Sequence, residues 1–128
     1  MILHSDSTKP IYVQIAEWIE TEILNGNLKQ DDKVYSQYKL AEMFTINPAT
    51  AAKGLNLLYN EKILYNKRGL GKFVTVDAKK IITDKRKNQV LKGMLSDVAL
   101  EAERLEVNEA ELIRMLQTTI HERKGDAE

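Results

Sequence analysis

Cationic side chains surround two glycines in the middle of the chain. Lys67 and Arg68 precede Gly69, and Lys72 follows Gly71, so the cations bracket a short turn. Lysine and arginine at the tip of a hairpin can neutralise phosphates along a nucleic-acid backbone or enter a minor groove. The alternative is that these side chains are simply solvated, as on an ordinary hairpin.

Small and polar residues open a predicted helix upstream of this turn. Threonine can hydrogen-bond a phosphate or a base edge, alanine can contact a thymine methyl, and lysine can reach guanine or a phosphate. Contacts in a major groove are therefore predicted for Asn47, Ala49, Thr50 and Lys53. The alternative is that Asn47 and Thr50 only cap and solvate the start of the helix.

The sequence lacks the residue groupings that catalysis or metal binding requires. It contains no cysteine, which excludes disulfides, thiolate metal sites and cysteine nucleophiles. Neither His4 nor His121 has partner residues at metal-ligand spacing, and no catalytic triad or phosphate loop is apparent. We expect a binding protein with no catalytic residue, metal or cofactor, and not an enzyme.

Charge is unevenly distributed along a chain of zero net charge. Residues 1–27 sum to −3, residues 28–92 to +8 and residues 93–128 to −5. A basic middle between acidic ends predicts that one region meets a polyanion. Solvated cations that steer DNA from a distance are expected at Lys79, Lys80, Lys85, Arg86 and Lys87.

No apolar run has the length of a signal peptide or membrane span, so we expect a soluble cytoplasmic protein without a membrane partner.

Apolar periodicity predicts the helices that position these residues. A first helix begins at Ile11, where Pro10 can occupy its entrance without losing a hydrogen bond. Ser36 is expected to cap a second helix of about two turns. Asn47 and Pro48 then end the turn and open a third helix. Two helices joined by so short a turn form a helix-turn-helix pattern.

The third helix combines apolar and small residues. Leu55 and Leu58 are expected to be buried together with Ala51. The small side chains of Ala51, Ala52 and Gly54 allow another helix to approach closely.

A hairpin is predicted directly after the third helix. The stretches 63–65 and 73–76 are β-prone and flank the glycine turn. A helix-turn-helix followed at once by a basic hairpin is a winged helix. We expect Trp18 in the core where the first helix meets the wing or the C-terminal helices.

Beyond Asp77 the pattern is helical to the end. A long helix in which Gly93 is a weak point precedes a last helix that opens with a capping box at Asn108 and Glu111. Two helices cannot bury their apolar faces alone, so we expect them to pair with a second chain. The predicted dimerisation residues are Leu91, Leu95, Val98, Ala102, Leu105, Leu112 and Leu116.

These patterns predict a mainly α fold with a small β-hairpin, namely a winged helix-turn-helix followed by two C-terminal helices. The expected domains are a DNA-binding domain at 1–76 and a helical dimerisation region at 77–128.

The ordered motifs resemble the GntR family of bacterial transcription regulators. The stretches that carry the resemblance are PIYVQI at 10–15, Ser36 with KLA at 39–41, INPAT at 46–50 and RGLGKFV at 68–74. A tail of about fifty residues in two helices resembles the short YtrA-like subfamily. The resemblance implies a homodimeric repressor that binds double-stranded operator DNA at inverted half-sites, about 10 base pairs apart or a multiple of that.

The chain departs from the family pattern at informative positions. Tyr38 stands where an arginine usually contacts phosphate or base, and Lys72 stands where the wing usually has threonine. Asp31 and Lys62 replace frequent loop glycines. We predict that the Tyr38 hydroxyl contacts a phosphate, with packing on the second helix as the alternative. The full set of predicted DNA-contacting residues is Ser36, Tyr38, Asn47, Ala49, Thr50, Lys53, Lys67, Arg68, Gly69 and Lys72.

Two other functions are consistent with the sequence. One is a protein-interaction module that has lost DNA reading, which the missing arginine at Tyr38 favours. The other is a sensor whose small-molecule effector lies between the C-terminal helices and controls DNA binding.

Overall fold

The computed structural model describes Leu3 and residues 8–127; His4 lies outside these residues. Its elements in chain order are α1 (Ile11–Leu24), α2 (Gln37–Phe44), α3 (Pro48–Asn60), β1 (Leu64–Lys67), β2 (Gly71–Val74), α4 (Ala78–Lys85), a π-helical segment (Arg86–Leu91), α5 (Lys92–Arg104) and α6 (Glu109–Ala127). The predicted fold class, mainly helical with one small antiparallel hairpin, is confirmed.

Side-chain caps set the ends of the helix-turn-helix as predicted. The Ser36 hydroxyl accepts a hydrogen bond from the backbone N–H of Lys39 at 3.1 Å. The Asn47 side-chain oxygen accepts one from the N–H of Ala49 at 2.8 Å. Between them Thr45 adopts a left-handed φ of 54°, which ends α2 and turns the chain into α3. Each cap satisfies an N–H that the helix start would otherwise leave unpaired.

A hydrophobic core forms where α1, α2, α3, the hairpin and α4 meet. Its most deeply buried large side chains include Ile15, Ile19, Leu40, Leu58, Ile63, Leu64 and Ile82. Gly54 of α3 permits the close contact with α1, because a Cβ there would lie 2.8 Å from the backbone oxygen of Tyr12. The predicted close helix approach is confirmed at this position.

Trp18 packs at a different place from the one expected. Its ring lies 5.8 Å from that of Tyr35 and 5.1 Å from that of Phe44, measured between centroids. Its face of α1 is therefore turned toward α2 and the segment before it. The expectation that Trp18 packs at the wing or the C-terminal helices was wrong.

The second strand of the hairpin begins and ends two residues earlier than predicted. Lys67 pairs with Gly71, so both belong to strands and the turn comprises only 68–70. β2 ends at Val74 rather than at Val76. The next residue, Thr75, still bonds to the segment before β1, because its N–H donates to the carbonyl of Ile63 at 3.0 Å and its hydroxyl donates to the carbonyl of Lys62 at 2.8 Å.

The segment before α2 extends the hairpin on its β2 side. The N–H of Val34 donates to the carbonyl of Lys72 at 2.9 Å, and the N–H of Val74 donates to the carbonyl of Asp32 at 3.0 Å. Lys33 faces Phe73 in the same antiparallel arrangement. The wing is thereby fixed to the residues that lead into α2, a pairing the sequence analysis missed.

Two of the residues with left-handed backbone conformations lie where the family pattern frequently has glycine. Asp31 has a φ of 67° and Lys62 a φ of 65°. Glycine adopts this region without a steric penalty, whereas an L side chain is disfavoured there. The structure thus supplies the physical reason why glycine is frequent at these two positions in the family that the sequence resembles.

Two compact units make up the chain, and they meet between Lys85 and Arg86. The expected boundary lay after residue 76, but α4 belongs to the first unit because Ala78 and Ile82 are buried in its core. The second unit contains the π-helical segment, α5 and α6. None of the helices in the described part of the chain is long and apolar enough to cross a membrane.

The second unit starts its last helix as predicted but exposes its apolar side chains. The Asn108 side-chain oxygen accepts a hydrogen bond from the N–H of Glu111 at 2.9 Å. The long helix expected upstream is helical throughout, but the π-helical segment Arg86–Leu91 separates its α-helical parts, α4 and α5. Large apolar side chains exposed in this unit are Val90, Leu91, Met94, Leu95, Val98, Leu100, Leu105, Ile113, Met115, Leu116 and Ile120.

Candidate nucleic-acid interface

A cationic groove of about 470 Å³ lies between the start of α2 and the wing. Lys33, Lys67, Arg68 and Lys72 line it, and Leu55 of α3 contributes an apolar surface. Among the described residues, the lining includes no aspartate or glutamate. A concave surface lined by one sign of charge concentrates the opposite charge, so this groove favours an anion such as a phosphate backbone.

Six of the ten predicted DNA-contacting residues lie together in this groove. They are Ser36, Tyr38, Lys67, Arg68, Gly69 and Lys72. Sequence reasoning missed three polar neighbours, Lys33, Gln37 and Asn66. The pairing of residues 31–34 with β2 brings Lys33 here, and that pairing joins segments too distant in sequence for a local pattern to reveal.

The absence of a side chain at Gly71 leaves space for the Lys33 side chain beside the wing. A Cβ at Gly71 would lie 3.2 Å from the Lys33 Cε, and Gly71 has a φ of 116°. Both the backbone conformation and the space for the lysine stem therefore depend on glycine.

Tyr38 is highly exposed in the first turn of α2. Its relative exposure is 70%, so little of the side chain packs against the helix or the core. Tyr38 is one of the residues that line the cationic groove. Its contact with a phosphate stays a prediction, and its exposure favours that prediction over the packing alternative.

The other four predicted contacts lie on α3 or at its cap. Asn47, Ala49 and Lys53 are exposed and Thr50 is partly buried. The exposed stripe of α3 continues beyond them to Asn56, Tyr59 and Asn60. The three-to-four residue spacing from Ala49 could have revealed this continuation, which the sequence analysis did not follow.

The two lysines of the wing lie on opposite faces of the hairpin. Lys72 donates a hydrogen bond to the Asn66 side-chain oxygen at 2.8 Å, and its ammonium lies 5.1 Å from the Tyr59 ring centroid of α3. Lys67 instead lies 4.6 Å from the Phe73 ring centroid. Strand alternation explains the difference. Lys67 pairs with Gly71 and shares its face, and the next residue, Lys72, lies on the other face. Lys72 therefore lies on the α3 side, while Arg68 is exposed at the tip.

The outer face of the wing carries an aromatic pair. The rings of Tyr65 and Phe73 stack at 5.8 Å, and the Tyr65 hydroxyl donates to the Asp31 carboxylate at 2.8 Å. That hydrogen bond, with partial desolvation and the charge of Asp31, raises the pKa of Tyr65 above its ordinary value. Tyr65 therefore stays neutral and connects the wing to the loop that precedes α2.

Lys85 has a structural partner rather than the solvated position expected for it. Its ammonium forms ion pairs with Glu20 of α1, whose side chain is 1% exposed, and with Glu61 at 2.7 Å. Burial alone would lower the pKa of Lys85, but the hydrogen bonds and charges of Glu20 and Glu61 outweigh it and raise the pKa. Lys79, Lys80 and Lys87 are exposed, and their steering role stays a prediction.

A helix-turn-helix, a hairpin fixed to it and a cationic groove between them define a winged-helix protein of the kind that transcription regulators use to bind DNA. No protein-family model matches the chain. The repressor YtrA of Bacillus subtilis is 31% identical over 96 residues, which cover 75% of this chain and 73% of YtrA. The repressor NagR of the same organism is 40% identical over 75 residues, 59% of this chain, but the match spans only 31% of the length of NagR.

Solved structures agree with these relatives. A GntR family transcriptional regulator from Listeria monocytogenes has a TM-score of 0.70 at 31% identity, with 88% of this chain and 97% of that chain covered. The DNA-binding domain of AraR, solved in complex with operator ORE1, has a TM-score of 0.52 at 30% identity and covers 58% of this chain and 90% of its own. The chain belongs to the GntR family of transcription regulators.

Proposed function

We propose that this protein is a transcription repressor that binds an inverted-repeat operator as a homodimer. The carrying observation is the cationic groove beside the wing, which in the described part of the chain is lined by four cationic residues and by no carboxylate. The relatives YtrA and NagR bear the name of transcriptional repressors, and the AraR domain was solved on its operator. These names support the proposal for this chain.

In the proposed complex α3 enters the major groove and the wing follows the adjacent backbone. Asn47, Ala49 and Thr50 lie at the N-terminal end of α3, the part of a recognition helix that contacts base edges. Arg68 and the cationic groove neutralise phosphates, which supplies affinity that does not depend on sequence. Tyr38 adds a hydroxyl donor where an arginine is usual in the family.

The second unit supplies the dimer interface in this proposal. Of the seven predicted dimerisation residues, Leu91, Leu95, Val98, Leu105 and Leu116 are exposed and Leu112 is partly buried. Ala102 is 8% exposed and is therefore covered within its own chain. A two-fold dimer places its half-sites about 10 base pairs apart or a multiple of that.

In this proposal the protein binds DNA in the cytoplasm and catalyses no reaction. A small-molecule effector between α5 and α6 stays an alternative prediction that would modify this function rather than replace it.

Selection of bound duplexes from a random pool by the purified protein tests the proposal. We expect enrichment of one inverted repeat, followed by binding to that repeat that weakens steeply with salt. A duplex of the same composition with one half-site scrambled serves as the control and should bind much more weakly. Absence of enrichment and of salt-dependent binding would contradict DNA reading and favour a protein-interaction module.

A further inference from the structure

Lys53 of α3 lies against an aromatic ring of another helix. Its ammonium is 4.3 Å from the ring centroid of Tyr12, which lies in the first turn of α1. Lys53 is exposed and Tyr12 is partly buried. A cation over the face of a tyrosine is attracted by the negative charge of the π system.

Gly54, the residue after Lys53, explains why these two side chains meet. A Cβ at Gly54 would lie 2.8 Å from the Tyr12 backbone oxygen and 3.2 Å from the Ile15 Cγ2. Only glycine lets the α1 backbone approach α3 this closely. The same contact that packs the two helices therefore places the Tyr12 ring beside Lys53.

The ring restricts a side chain that would otherwise sample many rotamers. Lysine has four flexible carbons and a compact charge, so fixing it on DNA costs conformational entropy. An ammonium resting on a ring still has N–H donors that point away from the ring. Contact with Tyr12 thus reduces the entropy cost when Lys53 binds DNA.

The direction of this contact matters as much as its strength. Tyr12 draws the ammonium toward α1, to the rim of α3, rather than along the exposed stripe that Ala49 and Asn56 share. When a helix lies in a major groove, the base edges lie beneath it and the backbone phosphates lie along both sides. A cation held at the side of the helix is therefore closer to the phosphates than to the base edges.

We propose that Tyr12 is a positioning residue that holds Lys53 for a phosphate contact at the edge of the major groove. This inference rests on the proposed function and assigns Lys53 to backbone positioning instead of base reading. It also assigns a DNA-binding role to a residue of α1, outside the helix-turn-helix and the wing.

The test compares variants of the full chain on the selected operator and on a random duplex of equal length, over a range of salt. Lys53→Met should weaken both duplexes by the same factor and make the slope of log affinity against log salt shallower by about 0.9 per subunit. Tyr12→Leu should weaken both about two- to fivefold per subunit, the range expected for an exposed cation–π contact. Tyr12→Phe, which keeps the ring, should restore binding.

A double variant separates positioning from packing. In the Lys53→Met background Tyr12→Leu should have no further effect on binding, since no cation remains to position. An equal loss in that background would show that Tyr12 only supports the fold and would overturn the proposal. So would Tyr12→Phe binding as weakly as Tyr12→Leu, or Lys53→Met weakening the operator complex alone.

Two controls keep the outcome interpretable. Thermal unfolding of each variant identifies a folding defect; if Tyr12→Leu has one, Tyr12→Met provides an adaptable side chain without a ring. Failure of the parent protein to bind any duplex would contradict the proposed function itself. Retained parent binding with no coupling between Tyr12 and Lys53 would contradict only this inference.

Discussion

The two units of the chain differ in the solvent exposure of their apolar side chains. In the first unit Leu40 and Leu58 are 0% exposed, because α1, α2, α3, the hairpin and α4 surround them. In the second unit Leu95 and Leu116 of α5 and α6 are each 50% exposed. Apolar surface left in water is unfavourable in proportion to its area. The first unit completes its own core, whereas the second has a surface suited to a partner chain.

Charge also differs along the chain, in blocks that do not coincide with the two units. Residues 28–92 carry a net charge of +8 and residues 93–128 carry −5, so residues 86–92 of the second unit belong to the basic block. An acidic helical pair is repelled by DNA, which favours a protein partner for its exposed apolar side chains. The comparison therefore supports the proposal that the first unit contacts DNA and the second unit self-associates.

Placing charge at Leu95 and Val98, two exposed apolar residues of α5, should have the largest effect on function. In the variant Leu95→Asp with Val98→Asp, carboxylates would occupy an apolar interface that cannot pair them. We expect a monomer whose operator affinity is lower by about 100-fold or more, because the second half-site is no longer held at high effective concentration. Fluorescence anisotropy on labelled operator measures this loss.

A matched control places two aspartates elsewhere on α5. Ser96 and Leu100 are exposed, and the 3.6-residue period places them on the side opposite Leu95 and Val98. Ser96→Asp with Leu100→Asp should leave dimerisation and operator binding close to those of the parent. Equal losses in the two double variants would refute the assignment of the interface to the Leu95 side.

The ion pair of the first unit should give the next largest effect, on stability. Lys85→Met removes the ammonium that faces the buried Glu20 carboxylate. Breaking a buried pair by removal of one partner costs about 3–5 kcal/mol of unfolding free energy. Urea unfolding measures the loss, and Glu20→Leu combined with Lys85→Met should recover part of it. A loss under about 1 kcal/mol would mean that the pair behaves as a surface salt bridge.

The same pair predicts how stability depends on pH at the alkaline end. The pKa of Lys85 is raised in the folded state, so its contribution is complete below the ordinary value of 10.5 and is lost as pH rises through the folded pKa. The parent should lose more stability than Lys85→Met when pH is raised past this range. Parallel losses in the two proteins would show that Lys85 is not the group responsible.

Removal of wing cations should produce a smaller, salt-dependent change. Arg68→Ala with Lys72→Ala should make the slope of log affinity against log salt shallower by about 0.9 for each phosphate that is no longer neutralised, on operator and random DNA alike. Lys92→Ala, an exposed cation of the second unit, is the control and should leave the slope unchanged. An unaltered slope in the wing variant would mean that Arg68 and Lys72 are only solvated.

Relief of backbone strain should give the smallest effect. Lys62→Gly removes a left-handed side chain and should stabilise the first unit by about 1 kcal/mol. Asp31→Gly should gain less, because it also removes the hydrogen bond from the Tyr65 hydroxyl. Urea unfolding of both variants measures the difference; a gain at Asp31 as large as that at Lys62 would assign that hydrogen bond no stabilising role.

Features encoded within a few residues could be predicted from the sequence. The caps at Ser36, Asn47 and Asn108 each depend on a side chain and an N–H two or three positions later, so local spacing reveals them. The helix-turn-helix and the existence of the hairpin followed in the same way. The residues that are predicted to contact DNA therefore lie on the helices and the hairpin expected for them.

Features that depend on distant pairing could not be predicted in this way. Lys33 enters the cationic groove because its strand joins β2, nearly forty residues later in the chain. Lys85 was expected to be one of several solvated cations, and only the fold places it beside Glu20. Likewise, the contact of Lys53 with Tyr12 depends on how closely α1 approaches Gly54. Each case needs the three-dimensional arrangement of elements that sequence periodicity does not specify.

Sedimentation velocity of the intact protein at tens of micromolar, alone and with the selected inverted-repeat duplex, tests whether two copies of the chain bind one operator. Without DNA we expect a species of twice the chain mass, because the exposed apolar side chains of α5 and α6 would cover one another across two copies. With DNA we expect one dimer on each duplex. A monomer at that concentration, or a single chain bound per duplex, would contradict the proposed homodimeric repressor.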